Sequence, residues 1–218
     1  MYHNLNQSNN RGKHVIYIMF IFYLIMLYIS YRLCAPNIFK WNIRQKTPGK
    51  HFIDIFVMTY YFTLIFYIGN YDITFPNKRI IITSTIIMFI WGYFSTLQSL
   101  KYSLISVHNW TTAMWVAVII ISIIIITLII YHLYVSYQQD IFYKNILLLL
   151  FCICNILVKY LCLNTNNRKY FHLHHWFLFM YLSVLTTLDN NISKYSAGLC
   201  IGISMQGISH YGPDSIYD

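Results

Sequence analysis

Ala113-Met114-Trp115-Val116-Ala117-Val118-Ile119-Ile120-Ile121-Ser122-Ile123-Ile124-Ile125-Ile126-Thr127-Leu128-Ile129-Ile130 carries no charge, and its Ile-dominated centre holds only Ser122 and Thr127 as polar residues. A run of about 18 to 20 apolar residues matches the hydrocarbon thickness of a bilayer. Backbone amides find no water there, so only a helix or a closed barrel can satisfy them. This run continues to Val135, and six more apolar stretches accompany it at 15–33, 52–68, 80–97, 145–163, 174–188 and 196–211. The spacing predicts an all-α, polytopic integral membrane protein with six or seven transmembrane helices. The last stretch is short enough to be tilted or re-entrant, which leaves the count at six or seven. A polar tail at 1–14 precedes the helical domain at 15–211, and a short tail at 212–218 follows it.

Composition agrees. Of 218 residues 58% are hydrophobic, 19% aromatic and only 10% charged, and mean hydropathy is +0.52, whereas soluble chains are about a quarter charged. No sizeable soluble domain fits between the stretches. The formal charge of +9 sits in short connections, where Lys and Arg set orientation and meet anionic lipid. Membrane lipids are therefore expected partners and nucleic acid is not, because no basic cluster is interleaved with a stacking platform. Arg32, Lys40, Arg44, Lys46 and Lys50 make the connection at 34–51 the most basic, which predicts that it is cytoplasmic and the N-terminus is on the other side. All acidic residues are Asp, and Ile, Asn and Tyr abound. This is the signature of an AT-rich genome, such as that of certain protists or large DNA viruses. The five cysteines, Cys34, Cys152, Cys154, Cys162 and Cys200, are odd in number and mostly lie in apolar stretches, so they read as small hydrophobes rather than a disulfide framework.

Chemistry-bearing residues concentrate in the last two stretches. His172, His174, His175 and His210 are the candidate metal ligands, and a divalent metal is the one cofactor the sequence suggests. His172 and His175 share a helix face while His174 points away, and two nitrogens are too few for a closed site. Treating stretches six and seven as full antiparallel crossings, we expect the His172–His175 end and the His210 end on opposite faces, so that one ion could join them only if stretch seven were re-entrant. Asn155 lies near mid-depth, where a transporter would need a polar group. Asp54 and Lys159 lie near boundaries, where snorkelling or pairing is expected. Gly198 and Gly202 form a Gly-x-x-x-Gly pair that lets helix backbones approach closely. They are expected on the contact face of a hairpin between stretches six and seven. Gly212-Pro213 should end the last helix.

The order Leu173-His174-His175-Trp176, then Ser193, Gly202, Gly207 and Tyr211-Gly212-Pro213-Asp214-Ser215-Ile216 resembles the C-terminal membrane segment of eukaryotic, fungal-type LCCL-domain-containing membrane proteins. The resemblance singles out His174, His175, Gly202, Gly207, Gly212, Asp214 and Ser215. Tyr211 departs from it, because Trp is usual there. The Cys-rich LCCL module is missing, and the connection at 34–51 is too short to hold one. The resemblance implies architecture and candidate residues rather than a reaction. The expected function is that of an integral membrane protein of unassigned activity, structural or partner-binding rather than enzymatic, with a membrane-protein partner or a second copy as its contact. A metal-dependent membrane enzyme using the His cluster is the alternative, and a small-solute transporter a further one.

Overall fold

The computed structural model describes residues 2–69, 71, 74–97, 110–163 and 175–212, and among them there are seven α-helices and no strand. They are α1 (Tyr2–Asn37), α2 (Pro48–Gly69), α3 (Lys78–Thr96), α4 (Thr112–Gln138), α5 (Phe142–Leu163), α6 (His175–Leu182) and α7 (Asn191–His210). Four have the length and composition to cross a membrane: the Gly12–Asn37 part of α1, then α2, α3 and α4.

Helix α1 starts at Tyr2, so it takes in the polar segment expected as a tail at 1–14; two further elements differ in length from the sequence expectation, and side-chain hydrogen bonds explain those two. The stretch at 174–188 stays helical only to Leu182 and continues as a 3-10 turn at Ser183–Leu185. There Ser183 Oγ donates to Met180 O at 2.6 Å and Thr186 Oγ1 to Ser183 O at 2.6 Å, bonds that compete with the helical ladder. Tyr71, buried between α2 and α3, donates its hydroxyl to the same Ser183 O at 3.0 Å. Burial holds its phenol neutral by pushing its pKa far up. Conversely, α7 starts at Asn191 rather than near Ser196, because Asn190 Oδ1 caps it by accepting from Ser193 N at 2.8 Å.

The order of contacts fixes the direction of each helix. Along α2, Asp54 meets Lys46 of the basic connection, Tyr61 meets Trp176 and Phe177, and Tyr71 just beyond meets Ser183 and Thr186. So α6 begins toward the basic end and finishes at the far end, and α7 returns to the basic end at His210. The start of α6 at His175 and the end of α7 at His210 therefore point to the same end of the bundle, because an antiparallel hairpin brings its outer termini together, while His172 and His174 lie outside the described residues. The expectation of opposite faces is corrected.

At the centre lies α7, with residues 200–210 all buried. Around it, α1 supplies Phe20, Leu24, Tyr28 and Tyr31, and α3 presents Ile80, Ser84, Met88 and Gly92, one residue per turn. Trp176 and Phe177 of α6 join the same core, so the predicted α6–α7 hairpin is present. The glycine pair, however, does not face α6. A Cβ on Gly198 would stand 2.7 Å from Thr83 Cβ and 3.0 Å from Ile80 O, and one on Gly202 would stand 2.6 Å from Ser84 O. The contacts advance together along both chains, so α3 and α7 run parallel at close approach. The face predicted for the hairpin belongs to α3 instead.

A Cβ that meets a backbone oxygen cannot be accommodated by turning a side chain. We expect Gly202→Ala to cost about 1–3 kcal/mol of stability, and Gly202→Leu more. Gly49→Ala, where a Cβ meets nothing within 4 Å, is the neutral control. Thermal unfolding in detergent measures all three, and an unchanged Tm for Gly202→Leu would refute the close parallel contact.

Candidate functional site at the C-terminal end of α7

The last carbonyls of a helix have no partner in the helix itself, and they carry the negative end of its dipole. At the end of α7 three cations answer them. Lys46 Nζ donates to Ile208 O at 2.9 Å and to Ser209 O at 3.2 Å. Arg32 Nη1 donates to Ser209 O at 3.3 Å and Arg44 Nη1 to Tyr211 O at 3.3 Å. Arg32 also donates to Arg44 O at 2.9 Å, tying the last turn of α1 to the connection. The helix stops as the sequence predicts: Tyr211 N and Gly212 N bond back to Gly207 O and Ile208 O, both at 3.0 Å. Gly212 then takes φ 96°, a left-handed value that favours glycine.

Lys46 also pairs with Asp54 Oδ2 at 2.5 Å, and both side chains are nearly fully buried. Asp54 is the one carboxylate inside the apolar stretches, so the expected pairing of this residue is present. An ammonium has three protons, and here it meets three acceptors: a carboxylate and two carbonyls. The same Oδ2 accepts from the Tyr28 hydroxyl at 2.7 Å. Since Tyr28 gives its only proton to Asp54, His51 Nδ1, 2.7 Å from the same hydroxyl, is the donor in that bond. The result is a continuous chain from His51 through Tyr28 and Asp54 to Lys46.

A second chain runs beside it. Gln206 Nε2 donates to the Tyr31 hydroxyl at 3.4 Å and to Ser95 Oγ at 3.4 Å. Tyr31 is 2.9 Å from His210 Nδ1. With Tyr31 accepting from Gln206 and donating onward, Nδ1 of His210 is an acceptor, which occupies one of its two ring nitrogens. His210 is buried, and it serves here to join α7 to α1.

Of the other residues singled out from the sequence, Gly202, Gly207 and Gly212 lie in α7 or at its end and are buried. His175 opens α6, while the side chain of His175 and all of His172, His174, Asp214 and Ser215 lie outside the described residues, as do the side chains of Asn155 and Lys159. Among the described residues no three His, Cys, Asp or Glu side chains gather as a metal site would require. Tyr28, Tyr31, Arg32, Arg44, Lys46, His51 and Gln206 were not singled out as a site from the sequence. One signal pointed to them: a lone carboxylate in an apolar stretch needs a nearby cation, and the basic connection starts a few residues away.

Two cavities border these elements. An open cleft of about 180 Å³ is lined by Arg44, Lys46, Lys50, Ile53, Asp54, Tyr211 and Gly212. A smaller apolar pocket of about 40 Å³ lies between α4, α6 and α7 beside buried His132. His132 Nδ1 donates to Leu128 O at 2.6 Å.

Comparison with protein families, with curated proteins and with solved structures finds no match for this chain. The site is therefore read from its own geometry. Removing one member of a buried pair leaves the other charge uncompensated, so Lys46→Met should destabilise by about 3–5 kcal/mol. Lys46→Met combined with Asp54→Leu should recover part of that loss. Equal unfolding temperatures for the single and double variants would show that Lys46 acts through the α7 carbonyls alone.

Proposed function

We propose that the chain is a multi-pass membrane protein of seven spans, with a structural or partner-contacting role in its membrane rather than an enzymatic one. The observation that carries this is the inverted distribution of polarity. Ser204, Gln206 and Ser209 are 0% exposed and Asp54 3%, while Ile119, Ile123, Ile126 and Ile130 of α4 are 53–61% exposed. Isolated exposed apolar residues are ordinary in water, but a helix whose whole apolar window is unburied matches lipid as the solvent. Polar groups then turn inward, away from lipid, and Asp54 and Gln206 find partners there.

Aromatic residues mark the two boundaries. At the basic end Phe39 stacks on Trp41 at 4.8 Å and Trp110 packs on Trp115 at 5.0 Å. At the far end Tyr134, Tyr137, Tyr143 and Tyr195 are exposed. Such belts sit at headgroup depth. Asp54, Tyr28, Tyr31 and Gln206 bond within the interior and Lys46 to the end of α7, a pattern that favours a structural role, while Ser204 Oγ and Ser209 Oγ are buried without a hydrogen bond among the described residues. The likeness to the membrane segment of LCCL-domain proteins remains a proposal. It is supported by Gly202 and Gly207, which belong to the buried central helix, and by Gly212, buried just past its end. The broad exposed face of α4 provides the surface for lipid, a membrane-protein partner or a second copy.

Seven spans put the two termini on opposite sides. Epitope tags at residues 1 and 218 should be reached by antibody from opposite sides of sealed vesicles, and the protein should resist alkaline extraction. Tags on the same side would overturn the span count. Purified protein should hold no stoichiometric metal; zinc or iron that disappears in His174→Ala or His175→Ala would replace the structural reading with a metalloenzyme.

A further inference from the structure

We infer that α7 does not cross the membrane on its own apolarity and enters it only against a groove already formed by α3 and α1. The inference rests on the membrane reading above and concerns how its seventh span is made. Helix α7 is 20 residues long, enough to span the hydrocarbon, yet it is not among the four helices whose length and composition would carry them across. It holds five Ile and Leu residues where α4 holds eleven, and beside them stand three glycines, four serines, Asn191, Lys194, Gln206 and His210. Each Ile or Leu favours the hydrocarbon only slightly, and one central cation outweighs several of them. Lys194 escapes that cost by its place in the first turn, where it pairs with Asp189 of the preceding connection.

Burial runs the other way. Of the 20 residues of α7, 15 are buried in the bundle, whereas the apolar window of α4 is wholly unburied. Protein rather than lipid surrounds α7, and its neighbours supply the partners that lipid lacks. Gln206 reaches Tyr31 of α1 and Ser95 of α3, and Lys46 and Arg32 answer the carbonyls at its end. The groove can exist first. Helix α3 and the Gly12–Asn37 part of α1 have the length and composition to cross unaided, and both precede α7 in the chain. The fit between groove and helix is narrow, because a Cβ on Gly198 would stand 2.7 Å from Thr83 Cβ and one on Gly202 2.6 Å from Ser84 O. Only a helix without side chains at those two positions reaches α3, and packing of this kind is what drives association where lipid surrounds both helices.

Leucine at both glycines separates the two ways of entering, because it makes α7 more apolar while closing its path to α3. The full chain, tagged at residue 1 and after Asp218, is synthesised into sealed membrane vesicles, and the side of each tag is read by antibody. In the unaltered chain the two tags should lie on opposite sides. Gly198→Leu combined with Gly202→Leu should leave about threefold fewer chains in that arrangement. An unchanged or larger fraction would overturn the inference, since α7 would then be entering by its own apolarity. Phe62→Ala, which loosens the packing of α2 on Phe20 of α1, controls for general instability: it should lower the Tm in detergent and leave both tags in place. A displacement of the second tag in Phe62→Ala as large as in the glycine pair would also overturn the inference. Failure of the seven-span reading is a different result, both tags on one side in the unaltered chain.

Discussion

One ammonium joins three parts of this chain. Lys46 Nζ holds Asp54 of α2 and the carbonyls of Ile208 and Ser209 at the end of α7, from a connection that itself follows α1. A lysine placed in a nearly anhydrous site costs several kcal/mol in lost hydration. It can be held there because each of its protons meets an acceptor and because the acceptors include the negative end of a helix. Arg32 and Arg44 add to the same end. Ile208 O also accepts from Gly212 N, so it is Ser209 O that depends on these cations.

This requirement follows from the place of α7. It is surrounded by other helices, yet Ser193, Ser196, Ser204, Gln206 and Ser209 are among its buried residues. On the membrane reading proposed above, little is gained by burying an apolar side chain in protein, so close packing and hydrogen bonds select what occupies the centre. A helix of small and weakly polar residues serves better there than an Ile-rich one. Gly198 and Gly202 let α3 approach to backbone distance, while Gln206 reaches Ser95 and Tyr31. The most apolar helix, α4, is left outside with its isoleucines exposed.

The two hydrogen-bonded chains, His51–Tyr28–Asp54–Lys46 and Gln206–Tyr31–His210, bind α1, α2 and α7 at one level of the bundle. Each hydroxyl both accepts and donates, which fixes the direction of every bond. The far end is held differently, by Tyr71 reaching Ser183 and by Asn145 donating to Ser136 at 2.6 Å in the α4–α5 turn. The far end also carries an ion pair, Lys194 with Asp189, on the surface of the α6–α7 turn, whereas the pair at the basic end is nearly fully buried.

Much of this was legible in the residues alone. Apolar run length pointed to each of the seven helices among the described residues, since a long apolar run carries its signal locally, and four of them have the length and composition to cross a membrane. The pairing of Asp54 and the stop at Gly212 were readable for the same reason: a carboxylate in an apolar stretch and a Gly-Pro step each carry their physics within a few residues. What the sequence could not decide was partnership between distant segments. Gly198 and Gly202 announce a close contact without naming the neighbour, and only the fold places α3, more than a hundred residues earlier, against them. His210 looked like a ligand because imidazole is versatile. Its link to Tyr31, and the commitment of Lys46 to the end of α7 rather than to lipid, exist only because tertiary packing brings those groups within hydrogen-bond distance in a place that water does not reach.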